Sequence, residues 1–512
     1  MIHSRRRTLL WGVASHSAAQ GITVITGILS VPIGLHYLGV SKFGVWMVVQ
    51  ALMIYLSSSQ FGIGSVATAL MAKLTEIPEQ KAVLLRSFRL LAGFGVLFLC
   101  LVGLAALYPA VWSPILGKVP VSLQSEAANA AIILAVFYLL RLPFITFAAS
   151  FVGLQEVYLE RFYGAILPSV TNLLALLLTV YQGGGLVMLS LFMGLGSLAI
   201  SIVSGIHFFS RHKELLPIRG ERLPNRPAAT EILRSGGYFF IVGLAAMVVW
   251  NTDNLVISYF LGPDYVASYS IVYKLFTIAY AIFIVLNAAL WPMLGRAVGQ
   301  GDWAWVSATY NKATLLLPIL GGLVWIGGMA FAKDIIYLWV GASGYAGPWV
   351  VFAFGGCGYL LALVNMHASF LGGINVSRPL MWAGISEALV NIALSVYLVQ
   401  IYGAAGVAMG TLFASLLTVF WLLPIIISHN TQGKVRMTWK PLAKHAAFAV
   451  LPSVLALLLV SEYCCCGWQS FLLRVMVILL YLVTSWRILP SEMSAMLKAA
   501  VAKKISPIRR QS

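Results

Sequence analysis

"HYLGVSKFGVW" (residues 36–46) and "YFLGPDYVASY" (259–269) are two versions of one phrase, each set between two long apolar runs. At an offset of 223, Tyr37-Leu38-Gly39 falls on Phe260-Leu261-Gly262, and Gly44-Val45-Trp46 falls on Ala267-Ser268-Tyr269. Two further stretches keep nearly the same register. "SFVGLQE" (150–156) matches "SFLGGIN" (369–375) at 219, and "YQGGGLVMLSLF" (181–192) matches "YGAAGVAMGTLF" (402–413) at 221. A preference shared by helical hairpins would explain one such match but not three in register. The chain is therefore read as a duplication, its copies joined by the charged segment "RHKELLPIRGERLPNRP" (211–227).

The duplicated unit belongs in a bilayer. A chain that is 60% hydrophobic and 9% charged, with a mean hydropathy of +0.92, is excluded from the soluble class. A spanning helix needs about 20 mainly apolar residues. With Gly, Pro and charge as punctuation, such runs fall near 11–35, 43–71, 88–110, 130–152, 163–181 and 185–209 in the first copy. They fall near 236–260, 267–290, 313–332, 348–371, 380–401 and 405–427 in the second, followed by 444–461 and 470–489. We number these helices one to fourteen. The short alternating segments of a transmembrane barrel are absent from the pattern. The first run follows "MIHSRRR" but lacks a signal-peptide cleavage site and continues into the repeated phrase, so it is kept as helix one.

The net charge of +18 would suit nucleic acid if the cations were clustered at random with respect to the spans. They are not. With both termini on one side, 27 of the 33 Lys and Arg fall in the termini and even-to-odd loops of that side, and only Lys42, Lys118 and Lys333 lie opposite. This is the positive-inside bias: it puts both termini in the cytoplasm and makes anionic lipid, not nucleic acid, the partner of the basic loops.

Because each copy holds an even number of helices, both enter from the same face and the repeats are parallel, related by an axis along the membrane normal. The expected fold is an all-α integral membrane protein of about 14 transmembrane helices. Its N-lobe is 1–209, its cytoplasmic linker 210–235 and its C-lobe 236–429, and 430–512 adds two helices and a basic tail. Two six-helix lobes of this kind enclose a central cavity that rocking can open to either side. The repeated phrase is the outer turn between the first two helices of each lobe, where Gly39 and Gly262 supply a positive φ or a close backbone approach.

The duplicated twelve-helix core, the "YLGxxxxGxW"-like turn, the glycines that follow helices four and ten, and "YGAAGVA" between helices eleven and twelve resemble a known family. They are similar to the Wzx-type polysaccharide flippases of the multidrug/oligosaccharidyl-lipid/polysaccharide exporter superfamily, over roughly residues 5–430. The resemblance implies a flippase that moves undecaprenyl-diphosphate-linked oligosaccharides for O-antigen, exopolysaccharide or capsule across the bacterial inner membrane. It also implies membrane lipids, and the polymerase and chain-length proteins of a polysaccharide pathway, as partners, with no cofactor.

Read from the residues, ionisable groups inside a bilayer are functional candidates. Arg141 in helix four and Lys274 in helix eight are the cations expected to bind a diphosphate, Arg with a planar fork and Lys as a point charge. Lys274 shares a face with Ser270, Thr277 and Ala281, though it lies near enough to the outer surface to snorkel. Arg141, beside Tyr138 and near mid-helix, has no such route. Asp253 in helix seven reads as a structural partner of Lys274 rather than a coupling-ion site. Glu387 aligns with Asn391 and Ser395 and serves either as cavity lining or as a helix-packing network. Helix one carries His16, Gln20, Thr23 and Gly27 at helical spacing, and Trp46, Tyr55 and Trp250 are aromatic platforms for sugar rings. Packing through small residues explains the helix-one stripe equally well.

A drug or cation antiporter of the same superfamily would need cavity carboxylates, and helix one has none. A membrane glycan polymerase or ligase would need large outward loops, the longest here lying near 111–129. No nucleotide loop, catalytic triad or metal spacing occurs, so no catalytic or metal residue is assigned and the chain is read as a transporter, not an enzyme. Cys100 and Cys357 sit in apolar runs as small hydrophobes, while the vicinal Cys464, Cys465 and Cys466 have no physical account. The charge bias predicts that a membrane-impermeant thiol reagent applied to intact cells labels Lys118→Cys and not Arg222→Cys. The reverse pattern would overturn the topology.

Overall fold

The computed structural model describes residues 2–108, 111–218, 221, 223–224, 228–374, 376–463, 467–490 and 494. Cys464–Cys466 and the basic tail at 495–512 lie outside the described residues. Among the described residues, thirteen apolar stretches are long enough to cross a membrane, and the first of them, Ser15–Gln60, runs for 46 residues. That stretch is two helices, because the helical segment Ile2–Leu56 breaks at Gly39, whose φ of 74° and ψ of 169° are not helical. A Cβ placed on Gly34 would stand 3.2 Å from the Phe43 ring. Nine residues of straight helix would separate these positions by about 13 Å, beyond a phenylalanine's reach, so the chain folds back sharply at Gly39. The count is therefore the fourteen helices expected. The second copy makes the same turn between Ala229–Phe260 and Pro263–Gly299, with Gly262 at φ 101°.

Several helices differ from their expected extents, each for a local reason. Helix two breaks at Ser57–Gln60 and resumes at Ile63–Lys73, with Phe61 at φ 46° and Gly62 at φ 69°. Helix four starts earlier than expected, at Val121, so the connection near 111–129 shrinks and includes a short helix, Trp112–Leu116. It also changes to a single 3₁₀ turn at Leu142–Phe144. Pro143 has no N–H for the Leu139 carbonyl, which accepts from Leu142 instead. Helix five carries a π turn at Phe162–Ile166. Helices eight and nine run on beyond their expected boundaries, as Pro263–Gly299 and Trp303–Val340, helix eight continuing through Pro292.

The chain forms two compact units. The first comprises Met1–Ile271, Trp339–Tyr345 and Ala388–Val407. Inside it the two copies of the repeated turn touch. Ser41 Oγ donates to Asp264 Oδ1 at 2.5 Å, and positions 41 and 264 are equivalent at the offset of 223. Gly44 lies so close to the Pro263 carbonyl that a side chain would overlap it. Contact between a position and its own counterpart is what a two-fold relation produces, as in an isologous dimer. The connection after helix three joins the same cluster. Lys118 Nζ donates to the Phe260 carbonyl at 2.8 Å, and Ser258 Oγ donates to the Leu116 carbonyl at 2.5 Å. From the second copy, Trp339 Nε1 donates to the Ile28 carbonyl at 2.9 Å. Each copy's third helix thus ends against the other copy's first.

At the opposite end of this unit the linker is anchored rather than free. Leu215 is buried with Phe147, Phe151 and Phe208. Lys81, itself buried, pairs with Glu221 at 3.0 Å, and that bond holds the Glu221 carboxyl below its usual range. Glu156 accepts from Arg211 at 2.6 Å and from His212 at 3.0 Å. Burial alone would raise the Glu156 carboxyl, but these two bonds outweigh it and hold it low.

The second unit comprises Val272–Leu338, Ala346–Glu387 and Ala408–Ser512. Helices thirteen and fourteen dock here through Leu442, Val454, Leu457 and Tyr481 against Ile326, Tyr359 and Leu363. Inside that apolar contact, fully buried His445 bonds Tyr359 through Nδ1 at 3.3 Å, and Ser485 and Tyr481 through Nε2 at 3.2 Å each. Tyr481 in turn donates to the Ile319 carbonyl at 2.5 Å. A polar network satisfied at every member fixes one docking register. The turn contact gives the test of this fold. Gly44→Val should destabilise the detergent-purified protein by the ~1–3 kcal/mol of an overpacked site, read as a lower thermal midpoint, and Ser41→Ala by less. An unchanged midpoint for Gly44→Val would overturn the close approach.

Candidate functional site

Arg141 opens into a cavity of about 430 Å³ within the first unit. Helix two contributes Gln50 and Ser57 with Met47 and Met53, helix four Phe137 and Tyr138, helix five Asn172, and helix six Met193 and Ser197. The guanidinium carbon lies 4.9 Å from the centre of the Tyr138 ring, in cation–π range. Among the described residues no carboxylate pairs with Arg141. It is the last residue of Val121–Arg141, where helix four tightens into the 3₁₀ turn. The cavity thus combines one cation, several uncharged donors and acceptors, and an apolar wall. It suits an amphipathic anion.

Of the residues chosen from sequence, Arg141 alone lines this cavity. Lys274 belongs to the second unit, half-buried, with no hydrogen bond or ion pair among the described residues. On its face, Ser270 is buried and donates to Asn254 Oδ1 at 3.2 Å. Asp253, expected beside Lys274, is buried and accepts a 2.5 Å bond from Tyr269. It joins helices seven and eight across the second turn. Glu387 accepts from Ser415 of helix twelve at 2.5 Å. Asn391 and Ser395 are fully buried, which places them in helix packing rather than on a cavity wall. In helix one, Thr23 bonds Ser169 of helix five at 2.9 Å. His16 and Gln20 are half-buried, and His16 Nε2 has no partner. Of the aromatic platforms, Trp46 is corrected, while Tyr55 and Trp250 are half-buried. Trp46 is buried, Tyr55 is bonded to Thr252, and the rings that line the cavity are Phe137 and Tyr138.

The sequence reading missed Gln50, Ser57, Asn172 and Ser197. Met47, Gln50, Ile54 and Ser57 recur at helical spacing, and Asn172 is a lone amide in an apolar helix. The rule applied to charges would have found them had it been extended to uncharged polar groups.

A family model described as "Polysaccharide biosynthesis protein" matches residues 9–298, more than half of the chain. The chain belongs to this family. It is a Wzx-type member of the multidrug/oligosaccharidyl-lipid/polysaccharide exporter superfamily, and a second model, MatE, matches residues 240–397. A putative O-antigen transporter of Salmonella typhimurium is 27% identical over 199 residues, 38% of this chain and 45% of that protein. A putative O-antigen export protein of Yersinia pseudotuberculosis is 23% identical over 205 residues, 39% of this chain and 46% of that one. The chain thus spans less than half the length of the curated relatives it matches. In fold it is similar to a solved structure titled "Lipid II flippase MurJ, inward closed conformation", with a TM-score of 0.68 and 16% identity, covering 92% of this chain and 97% of the other. A multidrug resistance MATE family transporter of the MOP superfamily aligns with a TM-score of 0.65 and 18% identity, over 81% and 96%. The superfamily fold of this polysaccharide biosynthesis protein, a multi-pass membrane protein, is therefore shared along nearly its whole length.

Asp253 separates packing from coupling in this family member. Asp253→Asn keeps an acceptor for Tyr269 and should leave transport within about twofold of wild type. Asp253→Leu strands that hydroxyl and should destabilise the protein by ~1–3 kcal/mol, read as a lower thermal midpoint. Loss of transport in Asp253→Asn at normal abundance would make the carboxylate functional.

Proposed function

We propose that this protein moves an undecaprenyl-diphosphate-linked oligosaccharide from the inner to the outer leaflet of a bacterial inner membrane, for assembly of O-antigen, exopolysaccharide or capsule. Both termini are cytoplasmic in this reading. Lobes 1–209 and 236–429 rock about the site, and no chemical step is catalysed. Lipid-linked oligosaccharide and membrane lipids are its partners, with the polymerase and chain-length proteins of the pathway acting downstream.

The observation that carries the proposal is Arg141. A guanidinium at membrane depth without a carboxylate partner is costly unless an anion visits it. A diphosphate offers the bidentate geometry that guanidinium matches. Gln50, Asn172, Ser57 and Ser197 supply the neutral donors and acceptors that sugar hydroxyls need. The antiporter reading fits less well, because the carboxylates of Asp253 and Glu387 each accept a side-chain hydroxyl.

Arg141→Ala should abolish surface glycan at unchanged abundance in the membrane, and Arg141→Lys should restore it only partly, since the fork is lost. Lys274→Ala is tested separately as the second candidate cation. Normal export by Arg141→Ala would overturn the assignment.

A further inference from the structure

A second pocket, of about 220 Å³, lies in the unit that holds the two C-terminal helices. Its walls are Asn311, Lys312 and Leu315 of helix nine, Thr438 and Leu442 at the start of helix thirteen, and Pro490 just past helix fourteen. The depth of this pocket in the membrane can be read from helix lengths. Helices thirteen and fourteen span Trp439–Val460 and Trp468–Ile488, 22 and 21 residues. At 1.5 Å per residue each is about as long as the ~30 Å hydrocarbon layer is thick, so Trp439 and Ile488 mark one membrane boundary. Thr438 donates to Asn311 Oδ1 through both its N–H and its hydroxyl, at 3.0 Å each, which fixes Asn311 and Lys312 at that same level. Helix nine, 38 residues long, overshoots the boundary with the turns before Asn311.

Aromatic residues mark the level independently. Trp421 and Trp439 stack with ring centres 4.9 Å apart, and Lys434 sits 4.9 Å from the centre of the Trp303 ring. Tryptophans of this kind gather at headgroup depth. Lys312 is half-buried, and among the described residues no carboxylate pairs with it. Asp302, on the same helix, caps the Trp305 N–H instead. The neutral donors nearby are also engaged: Asn311 Nδ2 bonds the Ser307 carbonyl, and the Thr314 hydroxyl bonds the Asn311 carbonyl. Lys440 and Lys444 on helix thirteen and Arg487 in the last turn of helix fourteen are exposed near the same membrane boundary.

We propose that this pocket binds the phosphate of an anionic phospholipid. Lys312 holds the phosphate, Leu315 and Leu442 cover the glycerol end of the chains, and the exposed cations of that boundary attract a second phosphate where the lipid has one. Basic pockets between helices at the cytoplasmic boundary bind such headgroups in general. The site is separate from the Arg141 cavity, and it clamps helices nine, thirteen and fourteen together at the lipid surface.

The test uses the full-length protein in detergent, titrated with cardiolipin and separately with phosphatidylethanolamine, with bound lipid read by native mass spectrometry. Cardiolipin should bind and phosphatidylethanolamine should not. Lys312→Gln should weaken cardiolipin binding about fivefold, the weight of one interfacial cation, and Lys312→Arg should restore it. Lys333→Gln, near the far end of the same helix, should bind as wild type does. The lipid-free thermal midpoint of Lys312→Gln should match wild type, which separates lost binding from lost folding. Wild-type binding by Lys312→Gln would overturn the site. So would displacement of cardiolipin by undecaprenyl diphosphate from the wild type but not from Lys312→Gln, since that would give the pocket to the carrier lipid.

Discussion

Two turns with equivalent sequences press against each other, and the first unit is arranged around that contact. Gly44 meets the Pro263 carbonyl where no side chain would fit, and Ser41 bonds Asp264, its counterpart in the other copy. A contact this close leaves little freedom in where the first two helices of each copy stand. The connections at Lys118 and Trp339 then tie each copy's third helix to its neighbour's first. Glycine at the bends and at the approach is a steric requirement: Gly39 and Gly262 hold φ values that a Cβ would strain.

Much of this was legible in the amino-acid sequence because hydropathy, charge bias and an internal repeat each speak to the whole chain. The fourteen helices and both turn glycines were found that way. The breaks within helices were harder. Near Ser57–Gly62 the break signals are the serine run 57–59 and Gly62, which the long apolar run around them outweighed. Phe61 adopts a left-handed φ while its ring packs against Phe94, Phe98 and Phe240, so tertiary contact and not local propensity sets the bend. The same limit applies to polar side chains. A helical face locates Asp253 or Thr23 but does not say that Tyr269 or Ser169 waits opposite, because those partners come from other helices. Trp46 looked like a free platform on its own helix and is buried by its neighbours.

The charges within the membrane divide by how their desolvation is offset. Arg474 in helix fourteen meets Asp334 at 2.7 Å and the Ala330 carbonyl at 3.1 Å, so its charge is neutralised locally and binds helix to helix. Arg141 has an aromatic ring and a cavity instead. Replacing such a cation with a hydrophobe would often stabilise a structure. Its presence without a counter-charge therefore points toward an external anion, whereas Arg474 needs none.

Met47, Met53 and Met193 form part of the wall of the cavity that holds that arginine. Thioether chains are unbranched, have low torsional barriers and are highly polarizable, so they reshape a surface by rotamer hops. Exposed rotamers exchange in picoseconds to nanoseconds, far faster than helices move. The cavity therefore has one cation, the guanidinium against the Tyr138 ring, and a compliant lining around it. A compartment built this way fixes the charged end of an occupant while leaving the size and branching of the remainder loosely specified.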